Sequence, residues 1–245
     1  MIIVIPCYNE FSRLPIGDYD KFLSNHNNTK ICFVDDGSTD ETYETLENLK
    51  KKFPASVILL KNEVNKGKAE SIRFAINTLT AKNSSDLYAY LDADLATSLK
   101  ECASYLPYLE QGKKLVFASR ILRIGSTVER KFHRFLFGRI IASIISWILH
   151  IKVYDTQCGC KVFTKEIAQI AFKDPFVSRW LFDVEIFSRI LNHFGREKAL
   201  RFMEEVPVKS WIDKGESKVK LSYFFKLWID LLLIWRVHNK HLKNG

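Results

Sequence analysis

The sequence contains no apolar run of the roughly 20 residues that a bilayer-spanning helix requires. Its two most membrane-like stretches, Arg139 to Ile151 and Leu221 to Trp235, are shorter, and the second carries Lys226 and Asp230. Spanning segments are therefore excluded. The N-terminus has no basic flank and only a short apolar run before Pro6, so it reads as a first strand rather than a signal peptide. Cysteines are few and odd in number: Cys7, Cys32, Cys102, Cys158 and Cys160. That usage excludes a disulfide framework and is ordinary for a reduced intracellular protein. Cys158 and Cys160 have no second Cys/His pair at ligand spacing, so they read as packing residues rather than half of a zinc site. His133, His150 and His193 show no ligand spacing either. The chain also lacks a G-x-x-x-x-G-K-[ST] loop, internal repeats, low-complexity tracts, linkers and any signature of a nucleic-acid recognition module.

What remains is 245 residues, 47% hydrophobic and 27% charged, enough for one domain with a sizeable core. The formal charge of +9 implies an anionic partner: nucleic acid, anionic lipid or a phosphorylated substrate.

Short apolar runs alternate with longer amphipathic ones up to about Ser119. The pattern predicts strands at Ile2 to Ile5, Ile31 to Val34, Val57 to Leu60, Leu87 to Leu91 and Leu115 to Ala118. Helices are predicted near Leu14 to Ser24, Asp40 to Lys52, Lys68 to Thr80 and Lys100 to Gln111. Beyond Ser119 come a basic segment, an amphipathic helix, a short strand near Lys161 to Phe163, a helix from Trp180 to Phe194, a strand near Phe202 to Val208 and a C-terminal helix. The fold class is α/β, a mostly parallel sheet flanked by helices. The expected organisation is a single domain with parts over 1–119, 120–220 and 221–245, the last an amphipathic helix, and with the C-terminal half facing a membrane.

In such sheets ligands collect at the carboxyl ends of strands. "YLDADLATS" puts Asp92 and Asp94 one residue apart at such an end, around Ala93. If the strand runs through them, both carboxylates point the same way, and they repel unless a cation lies between. Hard oxygen ligands suit Mg²⁺ or Mn²⁺, an ion that completes its shell with water and substrate phosphates. The pair suggests a metal-bridged nucleoside diphosphate. "VDDGSTDET" offers Ser38 and Glu41 as a capping box and leaves Asp35 and Asp36 for a base or ribose. In "NKGKAES", Lys66 and Lys68 sit at a helix start, where the macrodipole disfavours cations; a diphosphate there would reverse the penalty.

The segment after Ser119 supplies Arg120, Arg123, Arg130, Lys131, Arg134 and Arg139, suited to a phosphate at a membrane surface. Asp183 and Glu185 lie two positions apart on an apolar helix, about 200° in rotation, so they do not face one site together. Asp155, in "YDTQCGCK", is a third carboxylate to consider.

The blocks "IPCYNE", "VDDGSTDET", "NKGKAESIR", "LDADLAT", "ASR", "DTQCGCKVF", "FDVE", "EEVPVKSW" and "GESKV" occur in the order seen in family 2 glycosyltransferases. The later blocks resemble dolichyl-phosphate β-glucosyltransferases and bacterial polyprenyl-phosphate relatives. The resemblance implies a GT-A fold that binds UDP-glucose through Pro6, Tyr8, Glu10, Asp35 and Asp36, with Asp92 and Asp94 at the metal and ribose. It implies Arg120 near the donor diphosphate or acceptor phosphate, and Lys214, Ser217 and Lys218 in a loop that closes over the site. Relatives usually carry arginine where Lys214 stands and an aromatic where Cys160 stands. The eukaryotic relatives have an N-terminal anchor not seen in this sequence, which points to undecaprenyl rather than dolichyl phosphate and to peripheral attachment at the cytoplasmic membrane face.

The expected reaction is an inverting transfer in which the acceptor phosphate attacks the anomeric carbon. Asp155 is the carboxylate expected nearest the reacting centre, with Asp94 and Arg120 beside it. The rival readings are a related enzyme that extends a polysaccharide or lipid-linked glycan, and a non-catalytic protein that holds anionic lipid.

Overall fold

A computed structural model describes the backbone over residues 1–129, 132–212 and 223–242. Side chains are described over the same residues except 129, 132–134, 137, 223–225 and 238–242. In chain order the elements are β1 (Ile2–Cys7), α1 (Ile16–Asn25), β2 (Lys30–Asp36), α2 (Thr42–Lys52), β3 (Val57–Asn62), α3 (Lys68–Ala81), β4 (Leu87–Tyr90), α4 (Leu99–Ala103), α5 (Leu106–Glu110) and β5 (Leu115–Ser119). There follow β6 (Thr127–Glu129), α6 (Phe132–Leu149), β7 (Lys161–Thr164), α7 (Lys165–Ala171), α8 (Phe182–Phe194), α9 (Arg196–Phe202), β8 (Met203–Pro207), β9 (Ser210–Ile212) and α10 (Tyr223–Leu242).

Among the described residues the main sheet has the order β3-β2-β1-β4-β7-β5-β8. All its pairs are parallel except those of β7, which runs antiparallel between β4 and β5. Strand alternation sends Ile2 and Val4 to one face and Ile3, Ile5 and Cys7 to the other, and each face is buried under its own set of helices. β1 is flanked by β2 on one side and β4 on the other, so the topology switches direction between β1 and β4. The carboxyl ends of β1, β2 and β4 meet there, which is where an open α/β sheet leaves a crevice.

Two expectations are corrected in detail. The helix expected over Lys100 to Gln111 is two short helices, because Pro107 sits in the first turn of α5, where it starts a helix and cannot continue one. The apolar helix expected from Arg139 begins at Phe132. Its inner residues Ile145, Ile148 and Leu149 join the core, while Phe135, Leu136, Ile140 and Trp147 are exposed. In α10, Leu227, Asp230, Leu231 and Ile234 are buried at helical spacing, and Trp228, Ile229, Leu232, Leu233 and Val237 face outward. No helix among the described residues is long and apolar enough to cross a membrane.

Candidate active site

β4 stops at Tyr90, short of the two aspartates, although the Leu91 N–H still donates to Val4 O at 3.0 Å. The chain then turns: Leu95 N–H donates to Asp92 O at 3.1 Å, and Leu95 has φ +51°. The expectation that a continuing strand aims Asp92 and Asp94 alike is therefore corrected. The turn gives each carboxylate a different cation. Lys68 Nζ bonds Asp92 Oδ1, and Arg13 Nη2 lies 3.1 Å from Asp94 Oδ2. Between them Ala93 is buried, and its carbonyl accepts from Tyr19 O–H at 2.8 Å. Gly159, from the "CGC" block, packs directly against Asp92: a Cβ there would lie 2.0 Å from Asp92 Oδ2. The glycine is required because the carboxylate occupies the space of its missing side chain.

No group of three or more His, Cys, Asp or Glu side chains placed to hold a metal occurs among the described residues. Asp92 and Asp94 are 41% and 21% exposed at their side chains. Two accessible carboxylates fit an Mg²⁺ or Mn²⁺ whose remaining ligands are water and substrate phosphate, and do not fit a closed structural site.

The end of β2 separates its two aspartates by role. Asp36 is buried and organises the segment after β3: it accepts from Asn62 Nδ2 at 2.8 Å, Lys66 N–H at 2.9 Å and Gly67 N–H at 2.8 Å. The anion at this approach to α3 is thus a protein carboxylate, and Asp36 is not presented for a base or ribose. Asp35 is also fully buried, and its Oδ1 accepts from Ser38 N–H at 3.3 Å. Its Oδ2 is buried without a hydrogen-bond partner, an acceptor that a ligand N–H would satisfy. Gly37 has φ +71°, and a Cβ on it would come within 2.9 Å of Val64 C, so this close approach needs glycine.

The expected capping box does not form. Glu41 occupies the N-cap position without a side-chain bond, and Ser38 Oγ instead accepts from Asn9 N–H at 3.0 Å. Thr42 Oγ1 accepts from Glu10 N–H at 2.8 Å, and Asn9 Oδ1 accepts from Thr39 N–H at 2.8 Å. These bonds lace the loops after β1 and β2 into one wall. Pro6 lies within β1 opposite Val34, Tyr8 is exposed, and Glu10 sits 3.6 Å from Arg13 Nε.

The cations at the start of α3 diverge. Lys68 turns to Asp92, whereas Lys66 Nζ lies 5.9 Å from the centroid of Phe74, along the helix. Burial works against the Lys68 ammonium, but Asp92 and Asp183 outweigh it and hold its pKa above the ordinary lysine value.

Asp155 and Arg120 form a second centre. The guanidinium is bidentate, Nε to Oδ2 at 2.6 Å and Nη2 to Oδ1 at 2.9 Å, and Arg120 N–H adds a bond at 3.1 Å. Burial raises the Asp155 pKa, but Arg120 and these hydrogen bonds lower it further, to about 2. Such a carboxylate is a poor proton acceptor near neutral pH and serves to orient the arginine. Sequence reasoning missed Glu205, whose carboxylate accepts from Tyr154 N–H at 2.9 Å and Asp155 N–H at 2.8 Å. Beside the pair lies a cavity of about 210 Å³ lined by Arg120, Arg139, Ile141, Ile145, Leu181 and Leu227 among others.

Asp183 and Glu185 do face different ways, as their spacing requires, but neither is presented to a ligand. Asp183 Oδ1 accepts from Tyr90 O–H and, at 2.6 Å, from the fully buried Lys161 ammonium. Glu185 accepts from Val177 N–H at 3.0 Å and Ser178 N–H at 2.8 Å. All five cysteines are free and buried, in keeping with a packing role for Cys158 and Cys160. Arg130, Lys131, Lys214, Ser217 and Lys218 lie outside the described residues, as does the side chain of Arg134.

This arrangement, a mostly parallel sheet with carboxylates at a switch-point crevice, is the GT-A architecture. A mannosyl-3-phosphoglycerate synthase from Rubrobacter xylanophilus superposes on it with a TM-score of 0.69 at 15% identity, covering 100% of this chain and 75% of that one. A Pyrobaculum calidifontis mannosyltransferase in complex with GDP-Man and Mn²⁺ superposes with a TM-score of 0.60 at 14% identity, covering 100% and 64%. The model of glycosyl transferase family 2 matches residues 2–170, and the chain belongs to that family. A dolichyl-phosphate beta-glucosyltransferase of Trichomonas vaginalis is 30% identical over 96% of this chain and 73% of its own length. The chain is a glycosyltransferase.

Proposed function

We propose that this enzyme transfers glucose from UDP-glucose to the phosphate of a polyprenyl lipid, with inversion, at the cytoplasmic face of a membrane. The observation that carries the reading is the cavity beside Arg120. Its lining combines aliphatic residues of α6, Leu181 and Leu227 with the cations Arg120 and Arg139 and the polar stretch from Tyr154 to Gln157. An apolar chain ending in a phosphate matches that mixed lining. The outward apolar residues of α6 and α10 and the basic residues between β5 and α6 suit attachment to anionic lipid.

In this reading Asp35 takes an N–H of the uracil, and Pro6, Tyr8 and Glu10 line the nucleoside wall that Asp36 supports from behind. Lys68 faces the diphosphate. Asp92 and Asp94 would hold Mg²⁺ or Mn²⁺, which neutralises charge on the departing diphosphate when bound. Arg120, oriented by Asp155, steers the acceptor phosphate; Arg130, Lys131 and Arg134 add positive charge on its approach, and Lys214, Ser217 and Lys218 close over the site. Asp183 and Glu185 act through the elements they hold. One acceptor oxygen bonds to the anomeric carbon while the bond from that carbon to the β-phosphate oxygen breaks, and the electron pair leaves with UDP. The acceptor is already anionic near neutral pH, so no general base is needed, consistent with a pKa of about 2 for Asp155.

The test is transfer of radiolabelled sugar from UDP-glucose to undecaprenyl phosphate in detergent, with Mg²⁺ or Mn²⁺ against EDTA and with Asp94→Ala beside the wild type. Lipid-extractable label that needs both metal and Asp94 is the expected result. Absence of label while UDP still binds would replace the acceptor or the sugar and leave the donor site standing.

A further inference from the structure

Two buried carboxylates, far apart in sequence, are both committed to one short turn. Glu185 accepts the N–H groups of Val177 and Ser178, and Asp230, from α10, accepts the Ser178 hydroxyl at 2.6 Å. Ser178 Oγ in turn accepts from Trp180 N–H at 3.3 Å and Leu181 N–H at 3.0 Å. Placing buried acids in an apolar helix pair costs stability, which their bonds to this turn and the Arg189 guanidinium 3.5 Å from Glu185 offset. What the turn presents outward is Val177, Arg179 and Trp180, all exposed.

Arg179 is the residue of this turn that packs against Gly67. Its Cδ and Nε lie 3.6 and 3.7 Å from where a Cβ of Gly67 would stand, so its side chain lies across the turn that leads into α3. The next residue is Lys68, which bonds Asp92. With Lys66 directed along α3 toward Phe74, the cations at this turn are Arg179, packed on Gly67, and Lys68, which follows Gly67 in the chain. None of the described carboxylates forms an ion pair with Arg179. A planar guanidinium packed one residue from Lys68, in a crevice whose Asp92 and Asp94 would hold a metal, suits two adjacent phosphate oxygens.

We propose that Arg179 is a ligand of the donor's diphosphate, presented by a turn that Ser178, Glu185 and Asp230 hold in place. The assignment rests on the nucleoside-diphosphate reading of the crevice. It makes the turn before α8 part of the donor site, and it links that site to α10 through the Ser178 to Asp230 bond.

The experiment measures the affinities of UDP by calorimetry, and of uridine by ligand-observed NMR at millimolar concentration, for wild type, Arg179→Ala, Arg179→Lys and Ser178→Ala. The expected result is a loss of about tenfold in UDP affinity for Arg179→Ala with uridine unchanged, since only UDP carries the charge-assisted contacts. Arg179→Lys should recover part of the loss, and Ser178→Ala should show a smaller loss of the same selectivity. Arg179 is exposed, so its variants leave the fold intact, and circular dichroism verifies that Ser178→Ala folds. Equal UDP affinity in wild type and Arg179→Ala overturns the proposal, as does parallel weakening of UDP and uridine. Failure of the wild type to bind UDP overturns the donor reading and this assignment with it.

Discussion

The carboxylates of this protein fall into two regions that resemble each other on paper and differ in environment. Asp92 and Asp94 stand at a solvent-facing strand end and pair with Lys68 and Arg13, whose side chains are about one-third exposed. Asp155 and Asp183 are buried and locked to Arg120 and Lys161, and the Lys161 to Asp183 pair is shut off from solvent almost completely. An exposed pair is worth little and exchanges its partner readily, which suits groups that must accept a ligand. A buried pair breaks only at high cost and suits groups that must fix a geometry.

The sharpest way to break the comparison is to remove one member of the buried pair. Asp183→Ala leaves the Lys161 ammonium without its counter-charge and should destabilise the fold by roughly 3–5 kcal/mol, read by denaturant unfolding. A cost below about 1 kcal/mol would mean that the pair is not the structural element its burial implies. Asp94→Ala should behave in the opposite manner, with unfolding within about 1 kcal/mol of wild type. Its transfer rate should fall by about a hundredfold or more, as expected when charge stabilisation at a leaving group is lost. Equal losses in stability and rate would merge the two classes.

Gly159→Ala tests the support beneath Asp92 without changing any charge. The added methyl must displace the carboxylate, and misplacement on the order of 1 Å should lower the rate by about tenfold to a hundredfold. An unaltered rate would show that Asp92 does not need this position.

The smallest expected effect concerns pH. The pKa of Asp155 is lowered to about 2, so its contribution to stability is complete above the unfolded value, about 3.9, and is lost only as the pH falls through about 2. Between pH 5 and 8 the wild type should therefore show no change in Asp155 ionisation, observable by ¹³C NMR of the labelled carboxyl. A midpoint near neutrality would make Asp155 a base and reopen the mechanism.

Much of the donor half was legible because local pattern suffices there. Apolar runs of strand length separated by amphipathic ones gave β1 to β5 within a residue or two of their observed limits at every end. The short β6 and β9 were not legible, since three residues carry too little pattern and their pairing joins segments some 80 residues apart. Nor were α7 and α9, each only seven residues long. In the candidate site, residue types at strand ends drew attention to Asp92, Asp94, Asp35 and Arg120, but their partners were invisible. Asp36 and Asp35 are neighbours of identical chemistry, and only the return of the chain at Lys66 and Gly67 commits one to holding a loop. Lys161 reads only as the first residue of a short strand until its bond to the buried Asp183 is seen.

The sequence by itself determined the class of fold, the strand ends at which ligands gather and the chemical types assembled there, because these follow from periodicity and from residues adjacent in the chain. Only the tertiary structure decided which carboxylates are buried in ion pairs and which stay accessible, and that Arg179 packs on Gly67 while Lys66 turns toward Phe74. Those outcomes depend on burial and on contacts between distant segments, and burial sets whether a charge is a fixed support or an available ligand.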